Sequence, residues 1–262
     1  MVELHAAFTG LGVVMAGAVL AWLYSLARHD VSVVDSLWSL FITTAGIVYA
    51  LVLPSSNGRA VLMLALAVVW ALRLSIYIGW RNHGQPEDRR YQQIRARNQP
   101  NFELKSLYLI FVLQALLAWI VSAPFLAGIG GPNPLNALDW AGAALAAFGI
   151  VFEAVGDQQM ARFKADPANK GQVMDRGLWR YTRHPNYFGE CCTWWGLYLI
   201  ALAAGGAWWS IVSPLLMTFL LLKVSGVSLL EADITERRPA YRDYIARTSA
   251  FIPATPRRKG PA

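Results

Sequence analysis

The chain has 262 residues, a formal net charge of +7, 56% hydrophobic residues and a mean hydropathy of +0.38, yet only 15% of its residues are charged. A soluble fold of this size cannot hide that much apolar surface. The positive charge lies in short segments between apolar runs, which excludes a nucleic-acid-binding face as its meaning and points to membrane topology.

A membrane span needs about 20 mainly apolar residues. In chain order, such stretches run near 6–26, 33–53, 60–80, 106–128, 138–160, 187–206 and 208–230. They predict an all-α polytopic membrane protein with about seven transmembrane helices, forming a single integral membrane domain over 1–262. Gly205, Gly206 and Ala207 predict a tight turn between the last two, and Pro54, Pro132 and Pro134 punctuate other breaks. The longest polar stretch, 161–186, is too short to fold alone. No internal repeat is visible. The N-terminus lacks a basic stretch before its apolar run, so no cleaved signal peptide is expected.

Nineteen of the 23 lysines and arginines fall in three segments: 81–105, 162–185 and the tail from Arg237 to Lys259. With seven spans, all three lie on one side, together with Arg28. The alternate loops carry only Arg59. The positive-inside rule then places the N-terminus outside and the C-terminus in the cytoplasm.

Polar groups inside apolar runs need a reason, because ionisable side chains at membrane depth are expensive. Asp35 opens the second run, with Trp38 one turn on. Trp70, Arg73, Tyr77 and Trp80 share a face of the third, and Glu153, Asp157 and Lys164 a face of the fifth. Asn186, Glu190 and Trp194 recur every four residues in the sixth. Lys223 sits in the seventh, and Glu231 lies just beyond it. One reading makes these buried pairs, such as Asp35 with Arg73, that hold helices together. The other gathers them into a polar cavity opening to the cytoplasm, where basic loops suit a phosphorylated cofactor. The chain has neither G-x-G-x-x-G after a strand nor a P-loop. The adjacent Cys191 and Cys192 offer no disulfide framework or metal-ligand spacing, and read as small apolar helix residues. Gly10, Gly12 and Gly17 suggest close helix packing. Trp119, Trp140, Trp179, Trp208 and Trp209 read as interfacial anchors. Arg90, Arg95, Arg97 and Arg257 read as lipid-headgroup contacts. Unaided, the residues lead as far as a membrane enzyme or transporter with an anionic ligand.

The stretch from Gly177 to Glu190, GLWRYTRHPNYFGE, is more specific, with Trp194, Trp195 and Gly196 after it. It resembles the C-terminal region of the steroid 5-alpha-reductase family, in particular its bacterial branch DUF1295. Leu230-Glu231, the run from Arg237 to Tyr244 and Phe251-Ile252-Pro253 agree, as do residues 30–38 and 87–91. The likeness covers nearly the whole chain, with 106–256 resembling the family's C-terminal domain. A wider similarity, through Arg183-His184-Pro185 and Tyr187, reaches isoprenylcysteine methyltransferases and sterol reductases.

The resemblance implies an oxidoreductase of the 3-oxo-5-alpha-steroid 4-dehydrogenase type, using NADPH to reduce a conjugated enone on a steroid or sterol-like lipid. Such chemistry needs a dry site, a held nicotinamide and a polarised ketone. By resemblance Asp35 is the carbonyl-polarising acid, one methylene shorter than the Glu of animal members. Trp70 stands where the family has the tyrosine that partners this acid. An indole cannot supply a phenolic proton, which leaves Tyr77 or water as the donor. Asn186 and Glu190 match the nicotinamide-amide partners, Trp194 the wall beside them, and Asp157 the acid near the ribose or amide. Arg73, Lys164, Lys170, Arg183, His184 and Arg238 are phosphate candidates, with His184 chiefly in a positioning role. Tyr91, Tyr181, Tyr187 and Tyr241 would line the nucleotide, with Glu231 nearby. No metal is implied. The expected setting is a monomer in a bacterial inner membrane. The alternatives are an isoprenylcysteine-type methyltransferase using S-adenosylmethionine, less well matched by Asn186 with Glu190, and a lipid transporter or binder, weakened by the lack of an inverted repeat.

Overall fold

The computed structural model describes residues 1–54, 58–224, 227, 231 and 234–257, with the side chain of Arg237 excepted. Leu230, Arg258 and Lys259, used in the sequence reading, lie outside them, as does most of 225–230. Among the described residues the structure is helical throughout, with one isolated bridge between Thr182 and Ser249.

Five helices are long and apolar enough to cross a membrane. They are α1 (Val2–Arg28), α2 (Val33–Val52), α3 (Gly58–Asn82), α5 (Phe102–Ile129) and α6 (Ala137–Ala165). A short α4 (Arg89–Arg97) precedes α5. In lipid every backbone N–H and C=O must be satisfied within the segment, which is why these runs are helices. The two remaining predicted spans differ. Helix α7 (Pro185–Ala203) has 19 residues, about 28 Å at 1.5 Å per residue, but carries Asn186, Glu190 and Thr193 in its first half. Helix α8 (Trp208–Val224) is shorter and ends in a π-helical stretch, Leu220–Val224. The turn between them is as expected: Gly205 and Gly206 take φ of +93° and +72°, which favour glycine. A last helix, α9, spans Tyr241–Arg247.

The chain divides into two compact units, Met1–Trp140 with Tyr198–Ser213, and Ala141–Leu197 with Pro214–Ala262. In the first, α1, α2, α3 and α5 pack together. Small residues set the approach: a Cβ on Gly10 would meet the Tyr49 ring at 2.4 Å, and one on Gly46 the Phe125 ring at 3.0 Å. Gly12 faces open space, so of the three N-terminal glycines only Gly10 is needed for packing. Hydroxyls tie helix to helix, as in Ser39 Oγ to Ala71 O at 3.1 Å and Tyr49 Oη with Ser122 Oγ at 2.9 Å.

Arg59, expected in a loop, begins α3 with no exposed surface. Its Nε and Nη2 reach the two Asp139 oxygens at 2.7 and 3.0 Å, and its Nη1 and Nη2 the carbonyls of Asn133 and Pro134 at 2.8 and 3.1 Å. Asp139, equally buried, also accepts from Asn136 N at 2.9 Å. A buried pair persists only when its remaining hydrogen-bonding capacity is met in this way.

In the second unit, α6 and α7 cross backbone to backbone. A Cβ on Gly149 would meet Gly189 O at 2.4 Å, one on Gly189 would meet Gly149 O at 2.6 Å, and one on Gly196 would meet Ala146 N and Gly142 O at 2.5 Å. Glycines seven apart, at 142, 149 and 156 and at 189 and 196, keep one face of each helix bare along the contact.

Candidate functional site

In the first unit the site begins at Asp35, in the first turn of α2. Tyr91 Oη donates to Asp35 Oδ1 at 2.6 Å, and Arg90 Nη2 to Asp35 Oδ2 at 2.6 Å. Both donors come from α4, whose start is capped by Asp88, accepting from Arg90 N at 2.9 Å. Asp88 also takes Arg90 Nε at 2.9 Å, and the guanidinium lies 5.5 Å from the Tyr91 ring centre. Asp35 therefore pairs with Arg90 rather than with Arg73, and Arg90 is an internal partner rather than a headgroup contact. Burial pushes the Tyr91 phenol well up, and the Asp35 charge adds to this, so it stays protonated. Burial opposes the charge on Arg90, but Asp35 and Asp88 more than offset it and raise its pKa.

A second clamp steadies the first. Glu87 Oε1 accepts from Val31 N at 3.0 Å and from Arg95 Nη2 at 2.8 Å, while Arg95 Nε reaches Glu87 Oε2 at 2.9 Å. The Arg95 guanidinium sits 4.5 Å from the Phe102 ring centre, so this arginine too has its partners within the protein. Burial would raise the Glu87 pKa, but the bonds from Arg95 and Val31 lower it. Residues 30–35 and 87–95, far apart in sequence, thus form one hydrogen-bonded assembly. Trp70 is fully buried in α3, and Tyr77 is half-buried with its ring 6.2 Å from that of Trp80.

In the second unit the α6–α7 contact buries three carboxylates, Glu153, Asp157 and Glu190, with Trp194 wholly enclosed. Asn186, one turn before Glu190, has its Oδ1 buried with no hydrogen-bond partner among the described residues. Beside it, Arg183 Nε and Nη2 grip the two oxygens of Glu231 at 2.7 and 2.9 Å, and its Nη1 reaches the carbonyl of Thr248 at 2.5 Å. His184 Nε2 meets Glu231 Oε1 at 2.9 Å, and its ring stacks on Tyr187 with centres 5.5 Å apart. Burial alone would raise the Glu231 pKa; His184 and Arg183 outweigh it and bring it down to about 2. Burial, then the Glu231 charge, pushes Tyr241 up to about 12. Trp179 is a packed strut rather than an interfacial anchor: it is 9% exposed, its Nε1 donates to Gly156 O at 2.9 Å, and its own carbonyl accepts from Tyr244 Oη.

The profile of the family described as "Protein of unknown function (DUF1295)" matches residues 21–248. The chain belongs to that family. It is also similar to "Uncharacterized protein C594.04c" of Schizosaccharomyces pombe, at 27% identity over 267 residues, covering 88% of this chain and 75% of the yeast protein. No solved structure matches it.

Of the other expected contacts of this DUF1295 chain, Arg73 is half-buried in α3 of the first unit, and four lie at the surface of the second. Lys164, Lys170, Tyr181 and Arg238 are exposed there, and Arg238 Nη1 reaches Gln172 O at 3.4 Å. Arg183, expected on a phosphate, is engaged by Glu231 and backbone carbonyls. Sequence reasoning missed Arg90 and Asp88 as holders of Asp35, the Glu87–Arg95 clamp and the Arg59–Asp139 pair. Only the seven-residue glycine spacing was a readable signal for what it missed, the α6–α7 crossing.

Tested against a nicotinamide, the chemistry of the second unit fits. A carboxamide presents both donors and an acceptor. Asn186 Oδ1 is a buried acceptor with no donor among the described residues, and Glu190 is a buried acceptor four residues on.

Proposed function

We propose that this DUF1295 chain is an NADPH-dependent membrane reductase of conjugated enones, acting on 3-oxo-4-ene steroids or similar lipids. In this reading it is a monomer that crosses a bacterial inner membrane seven times, with its N-terminus outside and its C-terminus in the cytoplasm. The burial of Arg59 in an ion pair supports that sidedness, because it neutralises the one basic residue of the alternate loops.

The observation that carries the reading is Asn186 Oδ1, buried without a partner among the described residues, in the stretch that resembles the steroid 5-alpha-reductases. A buried acceptor left unmade costs about 1–3 kcal/mol, and a ligand amide would recover it. The nicotinamide, when bound, supplies a hydride for the β carbon of the enone. Asn186 and Glu190 would hold its carboxamide, with Asp157 and Trp194 beside the ring. Within the first unit, Tyr91 would serve the substrate carbonyl by turning its single hydrogen from Asp35 toward the oxygen on which negative charge gathers, while Arg90 holds the Asp35 carboxylate. A proton from Tyr77 or water would then add to the α carbon and complete the reduction.

The test is NADPH oxidation by the purified protein, followed at 340 nm, with testosterone or progesterone added. Oxidation that depends on the enone is expected. No turnover across a panel of 4-en-3-ones overturns the steroid assignment. A thermal shift with S-adenosylmethionine but none with NADPH overturns the reductase assignment.

A further inference from the structure

The second unit holds a cavity of about 500 Å³ that the proposed reaction does not use, lined by Arg176, Arg180, Arg247, Arg257, Asp175 and Thr248 among others. We infer that this cavity is a binding site for a phosphate group. Its volume falls in the range typical of small-ligand sites, about 300–1,000 Å³.

The walls are fixed by backbone bonds. Arg183 N donates to Ser249 O at 2.9 Å, Ala254 N to Tyr181 O at 3.0 Å, and Arg257 N to Arg247 O at 2.9 Å. Thr182 Oγ1 adds a bond to Phe251 O at 2.7 Å. These bonds tie the segment carrying Arg176 and Arg180 to the segment carrying Arg247 and Arg257. The four arginines are therefore carried by segments tied to one another through the backbone.

The charge inside is unbalanced. Arg247 Nη2 pairs with Asp175 Oδ2 at 2.5 Å, and Arg247 Nε is buried with no hydrogen-bond partner among the described residues. Among the described residues Arg176, Arg180 and Arg257 have no carboxylate partner. One carboxylate thus faces four arginines. Guanidiniums are planar, always charged and shaped for paired bonds to oxyanions. A carboxylate can occupy one such fork; a phosphate, with more oxygens and up to two charges, can accept from several at once. The same chemistry is offered by a free phosphate group and by the headgroup of an anionic phospholipid.

The experiment reads thermal unfolding of the detergent-purified protein by tryptophan fluorescence. The probes are sodium phosphate, against sodium chloride of equal ionic strength, and short-chain phosphatidylglycerol, against short-chain phosphatidylcholine. A ligand that binds only the folded state raises the apparent Tm. A saturable rise is expected with at least one of the two probes. It should persist in R97Q, an exposed arginine outside the cavity, and its half-saturation should weaken at least tenfold in R176Q/R257Q. A response to phosphatidylglycerol alone identifies a lipid headgroup; a response to inorganic phosphate alone identifies a soluble phosphate. If R176Q/R257Q does not fold, R257Q alone serves the same comparison. No rise with either probe, or an undiminished rise in the cavity variant, overturns the site.

Discussion

Tyr91 donates its phenolic hydrogen to Asp35 at 2.6 Å, across 56 residues of sequence. This gives the acid at the start of α2 a tyrosine partner, the group that Trp70 could not supply by its chemistry. Because burial and the neighbouring carboxylate keep that phenol protonated, it remains a donor throughout the neutral range.

Replacing Tyr91 by Phe keeps the ring and removes the donor. In the proposed reductase this is expected to lower kcat by roughly 10²–10³-fold, the usual worth of one hydrogen-bond donor to a developing oxyanion, with little change in KM for NADPH. Steady-state kinetics with a 4-en-3-one would show it. An unchanged kcat would remove Tyr91 from the chemistry.

Glu231 is the hub between Arg183 and His184, and its pKa is lowered from 4.5 to about 2. A lowered carboxylate pKa stabilises the fold above the unfolded value and ceases to do so as pH falls through the folded one. The Tm difference between wild type and E231Q is therefore expected to be constant from pH 7 to about pH 5. It should shrink as pH drops from 4.5 toward 2. A difference that grows on acidification would refute this sign.

The Arg59–Asp139 pair is wholly buried, so removing one partner strands the other. Asp139→Asn is expected to destabilise by about 3–5 kcal/mol, while R59M/D139L recovers much of the loss. Thermal unfolding of the two variants in the same detergent compares them directly. Equal losses in both would mean that the ion pair itself, not the stranded charge, sets the stability.

At the α6–α7 crossing, Gly149→Val places methyl groups into the backbone of Gly189 and Thr193. Loss of folded protein is expected on size-exclusion chromatography. Gly12→Ala, where a Cβ meets nothing within 4 Å, is the matched control and should behave as wild type. If Gly149→Val elutes like wild type, the crossing is looser than described.

The five long apolar helices and the Gly205–Gly206 turn were legible in the sequence because both are local. Lipid leaves a backbone no partner but itself, and a positive φ selects glycine whatever lies nearby. Asp35, Asn186 and Glu190 were legible as well, since a polar residue in an apolar run stands out without any knowledge of its neighbours. The choice of partner was not. Asp35 goes to Arg90 and Tyr91, Arg59 to Asp139 and Arg183 to Glu231, pairs separated by 55, 56, 80 and 48 positions. Periodicity assigns a side chain to a face of its own helix. Which opposite charge that face meets depends on where helices cross, and that is set by close approaches such as Gly149 against Gly189. Arg90 and Arg95 read as headgroup contacts, and Trp179 as an anchor, for the same reason: composition marks a residue as polar or amphipathic, and only packing decides whether protein or membrane satisfies it.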